Sequence, residues 1–144
     1  DVCSSDLAQA GADTFKLALY TSSASIDANT TAYTASGEVS SSGTNYTTGG
    51  SALTNNGVGT TDTNSTAGTG FTDFADLTFS NVTLTARGCM IYNSTPSAND
   101  NSNSALTNAS VCVLDFGGDK TATAGDFTII FPTPDASNAI IRIA

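Results

Sequence analysis

The chain has 144 residues, among them 24 Thr, 18 Ser and 12 Asn, yet only 12% are charged and there is neither His nor Trp. So low a charge with little Pro, Glu or Lys is not the composition of a disordered chain; it suits short strands joined by small-residue loops. Four cations, Lys16, Arg87, Lys120 and Arg142, stand against 13 acids for a net charge of −9, which speaks against nucleic acid or an anionic membrane surface as a partner, and no apolar run approaches the ~20 residues of a membrane-spanning helix.

The first seven residues, Asp1-Val2-Cys3-Ser4-Ser5-Asp6-Leu7, have no period and no compositional kinship with the rest of the chain. They read as the in-frame translation of a sequencing-adapter end, so residues 1–7 are expected to be an assembly scar on a metagenomic sequence, with one natural domain over 8–144. Residues 14–20 alternate, with Phe15, Leu17 and Leu19 on one face, and predict a strand. Polar residues continue to Thr31, then come Glu38-Val39 and a Ser/Gly run in which Gly43 and Gly49-Gly50 mark turns. A short strand is expected around Leu53, and residues 55–70 read as a long polar loop of the kind that carries function.

The second half is denser in apolar residues. Leu77 and Phe79 share a face, Val82, Leu84 and Ala86 alternate, and Gly88-Cys89-Met90-Ile91-Tyr92 is apolar on both faces, as in a strand central to a sheet. A second polar loop is expected over 93–108. Residues 111–116 predict a buried strand broken by Gly117-Gly118; residues 126–131 and 139–143 supply the last two strands, separated by Pro132-Thr133-Pro134. Seven or eight short strands and no helical period predict an all-β fold, a single antiparallel β-sandwich of jelly-roll or immunoglobulin-like type. Its expected core includes Phe15, Leu17, Leu19, Leu77, Phe79, Leu84, Ile91, Val111, Val113, Phe127, Ile129 and Ile141.

Without His, a Ser-His-Asp or Cys-His arrangement is impossible, as is a His-containing zinc site. Cys89 and Cys112 fall in different predicted strands; they are either buried free thiols or a mutual disulfide, which sandwich geometry permits. Asp73 with Asp76, or Asp115 with Asp119, could face each other as a carboxylate pair. A glycosidase, however, also wants aromatic platforms and an acid of raised pKa, and Glu38 is the one Glu. No catalytic residue, cofactor or metal site is therefore expected, and the chain reads as a non-enzyme. Asp115-Phe116-Gly117-Gly118-Asp119 with Asp126 is either a cation site or, better, a turn held by Asp side chains. The six Asn-x-Ser/Thr triplets are what so much Asn, Ser and Thr produces by chance. Arg87, entering a strand, either pairs with Asp115 or Asp119 or reaches solvent at the strand end.

Several phrases together carry a resemblance: Asp13-Thr14-Phe15-Lys16-Leu17-Ala18-Leu19-Tyr20, Glu38-Val39 with Tyr46-Thr47-Thr48-Gly49-Gly50, Thr83-Leu84-Thr85-Ala86-Arg87-Gly88, and Leu114-Asp115-Phe116-Gly117-Gly118-Asp119-Lys120 with Gly125-Asp126-Phe127-Thr128-Ile129. In this order they resemble a small protein family of tailed bacteriophages and prophages, encoded among virion structural genes, over residues 13 to 143. Gly37 stands where that pattern has Asn, Gly118 where it has Ser, and the loop after Asn93 is longer. The resemblance implies a virion component assembled in the host bacterial cytoplasm, above all a capsid decoration or cement protein. It would act as a trimer or dimer on the major capsid protein or other virion proteins. The alternative is a tail, head–tail or fibre-associated adhesin domain that binds the host surface through its long loops. Tyr33, Tyr46 and Tyr92 are the candidate interface anchors, because aromatic residues dominate interface energetics.

Overall fold

A computed structural model of the chain describes residues 13–59, 69–96, 106–135 and 137–143. They form seven strands and no helix: β1 (Phe15–Tyr20), β2 (Ser51–Ala52), β3 (Asn55–Gly59), β4 (Gly70–Phe74), β5 (Leu77–Asn93), β6 (Ala109–Ile129) and β7 (Ile141–Ile143). The protein is all-β, and β1 with β2 and β5, like β4 with β3 and β7, pairs antiparallel. The chain divides into two compact units. One holds Thr14–Ala52 and Thr78–Thr128; the other holds Leu53–Leu77 and the stretch from Ile129 on. The suspected scar and the centres of both long polar segments, 60–68 and 97–105, lie outside the described residues.

The first unit is built on a four-stranded sheet in the order β2-β1-β5-β6. The period of two in β1 meets the doubly apolar stretch of β5 in one register: Leu17 faces Ile91 and Leu19 faces Cys89, while Ala18 faces Met90 on the opposite side. All six are fully buried, so both faces of the central pair are covered. One cover is visible in the chain itself. After Tyr20 the chain leaves the sheet and returns at Glu38, where Tyr20 and Glu38 form a β-bridge and the Val39 N–H donates to the Leu19 carbonyl at 2.9 Å. This excursion packs Ala24, Ile26 and Tyr33 on Ala18, Tyr20, Met90 and Tyr92. It is tied to the start of β6 by Tyr33 N–H to the Asn108 carbonyl and Ser110 N–H to the Thr31 carbonyl.

β6 departs from its expected form. The sequence predicts separate strands over 111–116 and 126–131, but a single strand runs through Gly117-Gly118. It is far from straight. A straight strand would hold residues 116 and 127 about 36 Å apart, yet the rings of Phe116 and Phe127 lie 6.2 Å apart. Two residues between them take the left-handed conformation, Gly117 at φ 73° and Ala124 at φ 47°, and backbone of that hand turns a strand sharply. As the last strand of its sheet, β6 is also less buried than its apolar residues imply. Val113 is half-buried, and Val111, expected in the core, is 37% exposed.

The second unit carries a three-stranded sheet in the order β3-β4-β7. Its β3 corrects the expectation of a loop from Asn55. Asn-Asn-Gly-Val-Gly has little strand propensity of its own. It is held through the main chain of β4, with Gly57 opposite Asp73, Gly59 opposite Phe71 and a register shift between Asn55 and Gly57. The Asn55 side-chain amide adds a bond to the Thr72 hydroxyl at 3.2 Å. β4 is buried from Phe71 to Phe74: Phe71 packs on Ala139, and the Phe74 and Phe131 rings lie 6.0 Å apart. The connection from Phe131 to β7 is fixed by carboxylates. Asp76 accepts from the Phe131 N–H at 2.9 Å, and Asp135 caps its own turn by accepting from the N–H groups of Ser137 and Asn138. Of the expected core, Leu17, Leu19, Phe79, Leu84, Ile91 and Phe127 are buried, while Phe15, Leu77, Ile129 and Ile141 are half-buried.

Candidate functional site

The densest polar constellation of the first unit centres on Glu38. Its Oε2 accepts from the Tyr33 hydroxyl at 2.6 Å. Its Oε1 accepts from the Tyr46 hydroxyl and from the Gly49 N–H, each at 2.7 Å. The same Tyr46 oxygen accepts from the Leu19 N–H at 2.9 Å, and the Tyr92 hydroxyl donates to the Gly49 carbonyl at 2.7 Å. One carboxylate thus connects β1, the 21–38 excursion and the Gly49-Gly50 turn. Gly50 has φ 70°, and a Cβ there would run into the Leu17 carbonyl, so the turn lies on β1 only with glycine in that place. Burial, followed by the bond to Glu38, pushes the Tyr33 and Tyr46 hydroxyls well above the usual phenol range. Burial and the Glu38 charge push Tyr20 up to about 12. These phenols therefore stay protonated as hydrogen-bond donors.

Two of the candidate interface tyrosines are interior residues. Tyr46 and Tyr92 are each 3% exposed, so neither presents ring area to a partner. Tyr33 is half-buried and stacks on Tyr92 with ring centroids 4.7 Å apart. A Tyr that finds an internal acceptor packs as a core residue, and sequence alone does not show where the acceptor is. A signal for it exists: Glu38, Tyr46 and Gly49-Gly50 stand together in one phrase of the chain.

Arg87 reaches out of β5 to Asp115 of β6, with Nε 2.9 Å from Oδ1 and Nη2 3.3 Å from Oδ2. The pair is at the surface, its side chains 42% and 65% exposed. The bond to Arg87, and after it the Gly117 N–H at 2.8 Å, hold the Asp115 carboxyl below the usual carboxylate range. Asp119 acts on Arg87 only through its charge. Asp115 thus holds the Gly117 turn, while Asp126 accepts from the Asn81 N–H at 3.0 Å. Among the described residues no three His, Cys, Asp or Glu side chains are grouped as a metal would need.

Beside the Arg87–Asp115 pair lies an open cavity of about 360 Å³. Tyr20, Ala24, Ile26, Val113 and Leu114 give it an apolar lining, and Thr21 and Ser22 are among its polar groups. Its size is at the low end for small-molecule sites. Cys89 and Cys112 are free thiols. Burial, and then the neighbouring Cys112, push Cys89 up to about 12, and burial raises Cys112 as well; both behave as small apolar groups rather than nucleophiles. Compared with protein-family models, with curated proteins and with solved structures, the chain matches none.

Proposed function

We propose that this chain is a non-enzymatic structural protein of a tailed-phage virion, most specifically a decoration protein bound in many copies to the outer face of the capsid. The observation that carries the reading is where the phrases of the resemblance fall. Residues 13–20 are β1 and its approach, Glu38 with Tyr46 and Gly49 is the hydrogen-bonded centre of the first unit, and residues 83–88 run along β5. Residues 114–120 contain the turn on which Asp115 accepts from Gly117. The residues that carry the resemblance are thus ones that position one another in the fold. The β-sandwich of jelly-roll or immunoglobulin type belongs to the same proposal. A net charge of −9 gives no footing on a packaged genome, which favours the outside of the shell.

With Tyr46 and Tyr92 in the interior, the anchors for the major capsid protein are better sought among the exposed apolar side chains. Among the described residues these are Leu106 and Val111 in the first unit and Ile130 and Ile143 in the second. Each such contact is weak alone and gains from repetition across a lattice and from a homotrimer or homodimer. The test is binding of the recombinant protein to purified empty capsids of the cognate phage. Saturation at a copy number set by capsid symmetry supports decoration. Binding to host cells but not to capsids overturns it in favour of a fibre or tail adhesin.

A further inference from the structure

Among the described residues of the second unit, one buried side chain has a polar atom that the fold does not satisfy. Asp73, the fourth of the five residues of β4, is 0% exposed. Its Oδ1 accepts from the Phe74 N–H at 2.8 Å, and the N–H of Ile140, the last residue before β7, also favours the ionised carboxyl. Its Oδ2 is buried without any hydrogen-bond partner. An oxygen in that position costs far more as part of an anion than as part of a neutral acid.

The charges around it make the anion worse. β3, paired on one side of β4, contributes Asn55, Asn56, Gly57, Val58 and Gly59, none of them ionisable. The corner after β4 contributes Asp76, and the connection to β7 contributes Asp135; both act on Asp73 as like charges. The one cation of β7, Arg142, lies opposite Phe71 in the ladder and acts on Asp135. Asp135 itself is held ionised, first by the Asn138 side chain and then by the Ser137 N–H. Burial is the main reason why the Asp73 carboxyl stands above the usual carboxylate range; the N–H groups of Phe74 and Ile140 oppose the shift, and Asp76 and Asp135 reinforce it.

We propose that Asp73 is a proton-operated latch on β7 and the connection from Phe131 to Ile140. With a proton on Oδ2 the side chain is neutral, Oδ1 keeps the Phe74 N–H, and the end of the connection, one residue before the Thr72–Ile141 pair of the ladder, is seated against β4. Loss of that proton strengthens the attraction for the N–H groups of Phe74 and Ile140. It also leaves Oδ2 as a buried anionic oxygen with no donor, next to two carboxylates, and the net effect favours opening of this edge of the sheet. Because the folded-state pKa lies above the unfolded value, the stabilisation is complete below the unfolded pKa and is lost as pH rises through the folded one. The unit therefore holds β7 more tightly in mild acid than at neutral pH.

The test is amide hydrogen exchange on the full chain, expressed as protection factors at about pH 4 and about pH 8 so that intrinsic exchange chemistry cancels. The amides of Phe74 and of residues 140–143 should lose protection between the two pH values. Those of β1 and the middle of β5 should not change. In Asp73→Asn, which keeps an accepting oxygen at Oδ1 and cannot ionise, the same amides should stay protected at both pH values. A flat wild-type profile, or an Asp73→Asn profile that still falls, overturns the latch. Should the variant fail to fold, the ¹³C resonance of the Asp73 carboxyl in the wild type decides. Titration well above the usual ~3.9 supports the latch, and titration at or below it overturns the latch.

Discussion

Each unit of this protein builds around a carboxylate, Glu38 half-buried and Asp73 fully buried, and the two are treated in opposite ways. Glu38 has three donors converging on its two oxygens, from Tyr33, Tyr46 and Gly49. Asp73 has one donor, the Phe74 N–H, on Oδ1 and a bare, buried Oδ2. A carboxylate supplied with donors at both oxygens organises the chain around it, because every bond is charge-assisted and each donor would be orphaned without it. A carboxylate supplied at one oxygen fixes the chain only while it is neutral. The contrast predicts opposite signs for removing the two charges.

The largest effect should come from Glu38→Ala, which leaves two phenol hydroxyls and a backbone N–H without their acceptor and should cost about 4 kcal/mol. All four tyrosines, Tyr20, Tyr33, Tyr46 and Tyr92, lie in the first unit, so tyrosine fluorescence in a urea titration reads that unit specifically. A loss below about 1 kcal/mol would show that Glu38 is not the organising group. Leu19→Ala, at a fully buried position of β1, should cost about 3 kcal/mol by the same measurement through cavity formation. Tyr46→Phe should cost about 2 kcal/mol, since it removes one donor to Glu38 and orphans the buried Leu19 N–H.

The same two regions show what the sequence could and could not tell. In the first unit the period of two in β1 and the doubly apolar run from Gly88 to Tyr92 were legible, because burial there is imposed on both faces and leaves only apolar residues. β3 was not legible: its five residues hold one apolar side chain, Val58, and its strand state is conferred by the backbone of β4. The curvature of β6 was hidden as well. Gly117-Gly118 signalled a break, but Ala124, which has φ 47°, carries no mark of a left-handed residue. Of the polar sites, Arg87 with Asp115 could be named from the expense of an unpaired guanidinium in a strand. The state of Asp73 could not, because a lone Asp between Thr72 and Phe74 looks like any turn residue until its burial is known.

Where Glu38→Ala destabilises, Asp73→Asn should stabilise the second unit at neutral pH. The gain should shrink as pH falls, since the wild-type side chain then becomes neutral too. Thermal unfolding followed by far-UV circular dichroism at several pH values checks the sign; an Asp73→Asn variant less stable at every pH would reverse it. Asp115 and Asp135 act the other way. The side chains of Arg87 and Asn138 respectively are the main reason that their pKa values are lowered. Their contributions are therefore present above the unfolded pKa and disappear as pH falls through the folded one. Asp73 and these two carboxylates therefore pull stability in opposite directions as pH changes.

The smallest effect is expected at the most conspicuous ion pair. Arg87 and Asp115 meet in a two-bond geometry, which in a dry interior would make either side chain costly to remove. Here both are open to water, which screens the attraction and solvates whichever partner is left behind. Asp115 also keeps the Gly117 N–H after Arg87 is gone, so its carboxylate is not orphaned. Arg87→Ala should accordingly shift the urea midpoint of the first unit only slightly, and raising salt should narrow even that difference between variant and wild type. Loss of stability on the scale of Glu38→Ala, unchanged in high salt, would mean that the pair is shielded from solvent in the assembled protein. The surface between β5 and β6 would then be a place where a second chain sits.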